Sequence, residues 1–498
     1  MDPRTLTQAM LQPAVYGDPA GGVRLIETHI SQVFLAGDYA YKLRKPVRFD
    51  FVDFSTFSAR KADCENELRL NRRLAPQLYL DVVPVVAGVE PGSVCFGGAG
   101  EIVENAVRMR RFDQRDVLLT MVQENRLDGA VIDALANEVA DFHRAAPVAT
   151  VSLGYGTASR VAETLCDCMA ALLRLSEGSE PVRRVVARMH ERGDILGAAF
   201  ASRLRGGHVR ECHGDLHLGN VVLIDGVPTP FDCLEFAPAL RWSDTIYDAA
   251  FVFMDLLAHR RADLAWRFMN GYLERSGDYG GAVLMPFYAA LRALIRARVA
   301  LERARQRHMA VSAEADAFIS LALELLERKP ARLYLMHGVS GSGKSTQAAQ
   351  IAETEGAIRV RSDAERTRRY AATPHGKYAE CETDRVYRRM RAACQLGARA
   401  GFTMVADATF LARRRRKQFI ELARRLGVPV TIVHCNAVPE ELRRRVSVRE
   451  REGRDASEAG LAVLEKQLRE REPFDAEEAA YVVAGEGWPA TPRGEAPK

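Results

Sequence analysis

Short apolar runs flank Gly37-Asp38 in VFLAGDYAYKLRKPV, and that pattern predicts a β-hairpin. From Phe57 to Leu74 the spacing turns helical, with Cys64, Leu68, Leu70 and Leu74 on the apolar side and Pro76 as the stop. The same period returns over Val131–Arg144 and Val161–Leu175. A second hairpin, crowded with polar residues, is predicted around Asp225-Gly226, and a long helical region follows from about Ser243 to Glu327. Beyond Lys329-Pro330 the pattern changes again. ARLYLMHG, TMVADAT and VTIVHC are short apolar runs separated by helical stretches, the alternation of a parallel α/β sheet. These shifts divide the chain into a domain over 1–328, an α/β domain over 331–485 and a Gly/Pro-rich tail over 486–498.

Composition narrows the class without naming a function. A chain of 498 residues, 47% hydrophobic and 27% charged, is long enough for more than one core and too apolar to be disordered. The net charge of +5, from 70 basic and 65 acidic residues, is too small to argue for nucleic acid, although Arg is locally dense near 413–416 and 443–451. No apolar run of about 18 residues predicts a membrane span, and the start lacks a basic segment followed by an apolar one. Nine Cys without a Cys-x-x-Cys pair read as buried or half-buried free thiols, which fits a reducing cytoplasm.

Gly338-Val339-Ser340-Gly341-Ser342-Gly343-Lys344-Ser345 follows an apolar strand and opens a helical run, the context of a phosphate-binding P-loop. Backbone N–H groups from Gly338 to Thr346, including those of Ser340, Gly341, Ser342 and Gly343, are placed to wrap phosphate at a helix N-terminus. Lys344 would span the outer phosphates and the Ser345 hydroxyl would hold Mg²⁺, with Asp407 at a strand end as a second metal group. Asp363, with Arg366 one helical turn on, suits a carboxylate that takes a hydroxyl proton beside a phosphate-orienting cation; a helix N-cap is the alternative. With GVSGSGKST, SDAER, DATFLARRRR and LRRRVSVRERE, nearly all of 331–480 resembles the AAA-type P-loop small kinases related to polynucleotide 5′-kinases, zeta toxins and gluconate kinases. That resemblance implies Asp363 as base, Arg366 on the acceptor side, and Arg445 and Arg449 on a lid that closes over the phosphates, with Arg416 a further candidate. The run Arg413–Lys417 reads either as a solvated helix face or as a phosphate or nucleic-acid surface.

In His213-Gly214-Asp215-Leu216-His217-Leu218-Gly219-Asn220, Asp and Asn stand five apart, a spacing used in phosphoryl transfer of the protein-kinase type. Asp215 would accept the hydroxyl proton, Asn220 and the later Asp232 would hold the metal, and His213 and His217 would be structural. This stretch resembles the aminoglycoside phosphotransferase family, over roughly 25–310. The resemblance implies an α+β, protein-kinase-like fold with a small β lobe and a helical lobe, ahead of an α/β P-loop NTPase domain with a parallel sheet. It also implies Lys42 as the phosphate lysine, with Lys45 its rival, and Glu67 as the partner of that lysine, with Glu65 possible. Met109 falls at a hinge to adenine, and Asp248 resembles an Asp that buttresses the loop. One departure is visible: Glu27-Thr28-His29-Ile30-Ser31-Gln32 stands where protein kinases carry a Gly-rich loop, with Ser31 left as a phosphate cap.

Together these readings predict a bifunctional enzyme that uses ATP and Mg²⁺ to phosphorylate hydroxyls of small, sugar-like or aminoglycoside-like acceptors, with no membrane partner. Two alternatives stand beside it: a 5′-hydroxyl polynucleotide kinase, weakened by the lack of an aromatic platform for bases, and a nucleotide-sensing regulator with one inactive kinase half.

Overall fold

The computed structural model describes residues 1–17, 21–49, 52–98, 100–308, 312–327, 330–370, 379–452 and 460–485. Lys329 and the tail 486–498 lie outside them. The chain divides into two compact units, one of residues 1–138, 142–161 and 198–252, the other of 139–141, 162–197 and 253–498.

The first unit is built on six antiparallel strands: β1 (Val23–Glu27), β2 (Ser31–Ala36), β3 (Tyr39–Arg44), β4 (Tyr79–Ala87), β5 (Val94–Phe96) and β6 (Ile102–Arg110), in the order β1-β2-β3-β6-β4-β5. The hairpin at Gly37-Asp38 pairs Ala36 with Tyr39. Phe34, Tyr41, Leu43, Val85 and Ala106 form its core with Met10. Helix α1 (Phe57–Asn71), capped by the Thr56 hydroxyl, packs Cys64 against Tyr79 and Val107. Helix α2 (Gly129–Ala145) begins at the Asp128 cap and contributes most of its residues to this unit. The polar hairpin β7 (Val221–Ile224) and β8 (Val227–Pro230) turns at Asp225-Gly226 as expected. The result is the protein-kinase-like arrangement that the sequence resemblance implies.

The second unit holds helices α3 (Ala158–Leu175), α4 (Glu180–Arg205), α5 (Thr245–Ala258), α6 (Ala262–Ser276), α7 (Met285–Gln306) and α8 (Ala313–Leu326) in whole or in part. It also holds a parallel sheet of β9 (Leu333–His337), β10 (Ile358–Arg361), β11 (Met404–Asp407), β12 (Val430–His434) and β13 (Val482–Ala484), ordered β10-β11-β9-β12-β13. Tyr334, Met336, Ile351, Val405 and Val433 make its core. Around it run α9 (Lys344–Glu355), α10 (Ser362–Tyr370), α11 (Glu380–Arg399), α12 (Arg413–Leu426), α13 (Pro439–Glu452) and α14 (Leu461–Glu470). Helix α6 packs on α9 and on the outer strand β10.

Two expectations need correction. Cys95, Cys166 and Cys381 are exposed thiols, not buried ones. The run Arg413–Lys417 is not simply a solvated face, because Arg416 is fully buried. Its guanidinium grips Glu478 at 2.9 Å and donates to the carbonyls of Phe410, Leu411, Glu472 and Pro473, so the charge is matched and every donor edge is used. That clamp fixes loops and leaves Arg416 no reach to phosphate. Among the described residues no helix is long and apolar enough to cross a membrane.

Candidate active sites

Strand β3 alternates its side chains, so Lys42 and Arg44 face the same side, toward α1. Lys42 Nζ lies 2.7 Å from Glu67 Oε1 and 2.7 Å from Asp232 Oδ1. Burial opposes the Lys42 charge, but the Asp232 and Glu67 carboxylates outweigh it and hold its pKa well above the ordinary lysine value. Of the rivals, Lys45 binds the Thr28 carbonyl and Glu27, and Glu65 is an exposed partner of Lys61.

Arg44 belongs to no motif and is buried. Its guanidinium takes the other oxygen of Glu67 at 2.7 Å and also binds Asp63 and Glu235. The signal that marks it is the period of two from Lys42. Ser31, expected as a phosphate cap, is instead buried with its hydroxyl 2.6 Å from Arg44 Nη1. The buried charge explains why: an arginine with three carboxylates around it recruits the nearest remaining acceptor.

Asp232 adopts a left-handed backbone, φ 60°, a costly state for a residue with a Cβ. Two side chains hold it there: Tyr79 Oη accepts its N–H at 3.1 Å, and Asn71 Oδ1 accepts the Cys233 N–H at 2.8 Å. Burial works against the Asp232 charge, yet Lys42 keeps its pKa below the usual carboxylate value. Asn220 Nδ2 donates to Asp215 Oδ2 at 3.1 Å and to its carbonyl at 3.0 Å, which joins the two ends of the predicted loop. His213 Nδ1 accepts the Asp215 N–H at 3.3 Å, so its Nε2–H donates to the Phe231 carbonyl at 2.9 Å; burial lowers its pKa. His217 Nδ1 accepts the Gly219 N–H, with Nε2 3.5 Å from Asp215. Asp248 accepts the N–H groups of His213 and Gly214 at 2.9 Å and meets His143 Nε2 at 3.1 Å, so it supports the loop from behind. Met109 lies in β6, paired with Ala40 and Tyr79.

The donor set fits a divalent cation. Around Lys42 and Arg44 stand Asp63, Glu67, Asp232 and Glu235, four carboxylates to two cations. Burial raises the pKa values of Asp63 and Glu235, against the pull of the Arg44 guanidinium beside them.

In the second unit, the P-loop closes β9 onto α9. A Cβ on Gly338 would strike the Cys435 carbonyl, and Gly343 holds φ 85° at the entry to the helix, so both positions require glycine. Lys344 Nζ is 3.4 Å from the Val339 carbonyl, and Thr346 is exposed in the first turn of α9. Ser345 Oγ donates to Asp407 Oδ1 at 3.3 Å. Asp407 Oδ2 is buried without a hydrogen bond, an anionic atom with coordination to spare, which is what a cation ligand needs. The Ser340 N–H donates to Gln467 Oε1 of α14 at 2.7 Å, a contact no motif announces. Arg445 Nη1 reaches the Gly341 carbonyl at 3.3 Å while its Nε binds Glu441 at 2.6 Å. The Arg449 side chain lies outside the described residues. Asp363 is the second residue of α10, inside the first turn, so it is not the N-cap. Arg366, one turn further along α10, is buried with Nη1 3.4 Å from Thr383 Oγ1 of α11.

Comparison with known proteins finds a family match for each site. A model of the phosphotransferase enzyme family matches residues 39–287, and one of an AAA domain matches residues 333–474. An uncharacterized protein of Mycobacterium tuberculosis is 32% identical over 450 residues, 88% of this chain and 88% of the relative. Among solved structures, a choline/ethanolamine kinase family protein from Mesorhizobium loti is 14% identical, covering 65% of this chain and 95% of its own, with a TM-score of 0.38. A gluconokinase from Sinorhizobium meliloti is 22% identical, covering 32% of this chain and 83% of its own, with a TM-score of 0.24. The first family match takes in Lys42, Glu67, Asp215, Asn220 and Asp232 and spans half the chain, which therefore belongs to the phosphotransferase enzyme family and carries an AAA-type domain behind it.

Proposed function

We propose that the protein is a bifunctional ATP-dependent phosphotransferase, each half transferring the γ-phosphate of Mg-ATP to a hydroxyl of a small sugar-like or aminoglycoside-like metabolite. The observation that carries this reading is Lys42 held between Glu67 and Asp232, both at 2.7 Å, with Asp215 and Asn220 joined on the loop that precedes Asp232. Lys42 would hold the nucleotide phosphates, and Asn220 and Asp232 would hold Mg²⁺, which when bound supplies charge neutralisation on the transferring phosphoryl group. Asp215 takes the proton of the attacking hydroxyl as its oxygen bonds the γ-phosphorus and the bond to the ADP oxygen breaks. Asn220 Nδ2 orients that carboxylate through Oδ2, and His217 Nε2 stands 3.5 Å from the same oxygen. In the P-loop half, Lys344 and the loop amides would hold phosphate, Ser345 and Asp407 the metal, and Asp363 would take the acceptor proton, with Arg366, Arg445 and Arg449 on the phosphate side.

A polynucleotide kinase would need its basic surface free. All five cations of Arg413–Lys417 lie within ion-pair distance of a carboxylate, which favours small acceptors.

The test is a metabolite pool incubated with γ-labelled ATP and the full-length protein, its Asp215→Ala variant and its Lys344→Ala variant. Two labelled products, each lost in one variant only, are expected. Loss of both products in either variant, or labelling of nucleic-acid ends alone, would sink the reading.

A further inference from the structure

Helix α6 lies within the stretch matched by the phosphotransferase family, yet in the second unit it is built into the P-loop site. Trp266, Asn270 and Glu274 are spaced by four and form one stripe. Gly356 stands so close to Trp266 that a Cβ would meet the indole at 2.9 Å. Asn270, almost fully buried, pairs with the open side of the outer strand: Nδ2 donates to the Ala357 carbonyl at 2.9 Å and Oδ1 accepts the Arg359 N–H at 2.7 Å. One turn on, Glu274 binds both arginines of β10, Arg361 Nη1 at 2.8 Å and Arg359 Nη2 at 3.2 Å. Arg359 also donates to the Ser345 carbonyl at 3.3 Å.

The target of this arrangement is Asp407. Arg361 and Asp407 are register partners on adjacent strands, and Arg361 Nε stands 3.7 Å from Asp407 Oδ2, too far for a hydrogen bond. A guanidinium and a carboxylate this near would close to about 2.8 Å if nothing held them apart. Glu274, at 2.8 Å from Arg361 Nη1, is an anion that competes for this guanidinium. We infer that Glu274 is a positioning residue that holds Arg361 off Asp407 and so keeps Asp407 Oδ2 open to the divalent cation of the P-loop site. The inference rests on the reading of that site as one for a metal-nucleotide complex. Without Glu274, Arg361 pairs fully with Asp407 and competes with the metal for the same oxygen.

The experiment uses the full-length chain with Asp232→Asn, which disables the metal site of the first unit, and measures Mn²⁺ binding in the presence of ATP by electron paramagnetic resonance. An opposite charge at contact distance shifts a carboxylate by roughly one to three pKa units, so Glu274→Gln should weaken Mn²⁺ binding by about tenfold or more. ATP affinity measured without metal should not change. Adding Arg361→Met to Glu274→Gln removes the competitor and should restore Mn²⁺ binding, which a merely structural Glu274 would not allow. Wild-type Mn²⁺ affinity in Glu274→Gln, or a double variant no better than the single one, overturns the inference. If Glu274→Gln does not fold, Arg361→Met alone decides: Mn²⁺ binding at least as tight as in the parent supports the role, and weaker binding overturns it. A parent chain with no Mn²⁺ binding that depends on Lys344 overturns the P-loop reading itself, and this inference with it.

Discussion

The hydroxyl of Tyr79 accepts the backbone N–H of Asp232 at 3.1 Å, so a residue of the antiparallel sheet fixes the left-handed turn of an aspartate 153 positions away, the one proposed above to hold the metal. Tyr79→Phe removes that acceptor and little else. The unpaired N–H should cost about 1–3 kcal/mol, felt as loss of the left-handed conformer. Transfer by the first unit should fall and its Mg²⁺ requirement rise, while P-loop turnover stays as in the wild type; an unchanged Mg²⁺ dependence would remove Tyr79 from the site.

Lys42→Met should reduce transfer by the first unit by about 10²–10³-fold, the size of effect seen when one preorganised hydrogen-bond donor is removed. Asp232 and Glu67 then face each other without their shared cation. Steady-state kinetics on the labelled acceptor provide the check, and Lys45→Met, a change at a half-buried lysine paired with the exposed Glu27, should leave them nearly intact.

Asp363→Asn should spare ATP binding by the P-loop half and lower its phosphoryl transfer by about 10²–10⁴-fold. Full transfer by this variant would reduce Asp363 to a favourable acidic residue in the first turn of α10.

Arg416→Met leaves Glu478 as an uncompensated buried charge and should cost about 3–5 kcal/mol of stability. Arg416→Met combined with Glu478→Leu should recover much of that loss in urea denaturation. A phosphate-binding Arg416 would show the reverse pattern, with stability kept and nucleotide affinity lost.

His337 and His434 touch through their Nδ1 atoms at 2.8 Å beneath the P-loop. Burial, then His434 and the nearby Arg416 and Arg471, lower the His337 pKa to about 3. An unfolded histidine titrates near ~6.5, so below that pH the unfolded chain binds a proton the folded chain refuses. This contribution to stability is whole above ~6.5 and declines by up to about 1.4 kcal/mol per unit as pH falls toward the folded value. The urea midpoint of the P-loop half should drop between neutral pH and pH ~5, and His337→Asn should flatten that slope.

Contiguous features are legible in the chain itself. The hairpin at Gly37-Asp38, the loop from Gly338 to Ser345 and the Asp215–Asn220 spacing are all written within a few residues, where local periodicity and turn chemistry act. Arg44 and Glu235 are not, because their contact joins positions 191 apart and neither belongs to a motif. Helix α4 is open to the same local reading, since Val182, Val185, Val186 and Met189 recur at helical spacing and are buried. Arg416 looks like its neighbours in a basic run, and only the fold of the loops at 410 and 472 buries it. Long-range pairing decides the cases of Arg44, Glu235 and Arg416, and composition carries no trace of it.

The pairing of Asn270 with strand β10 bears on how this chain tolerates being divided. A cut after residue 330 leaves the Ala357 carbonyl and the Arg359 N–H bare on an outer strand, and such strands recruit other polypeptides edge to edge. The severed P-loop half is therefore expected to self-associate, whereas a cut ahead of Ala262 keeps the covering helix and with it the solubility of the sheet.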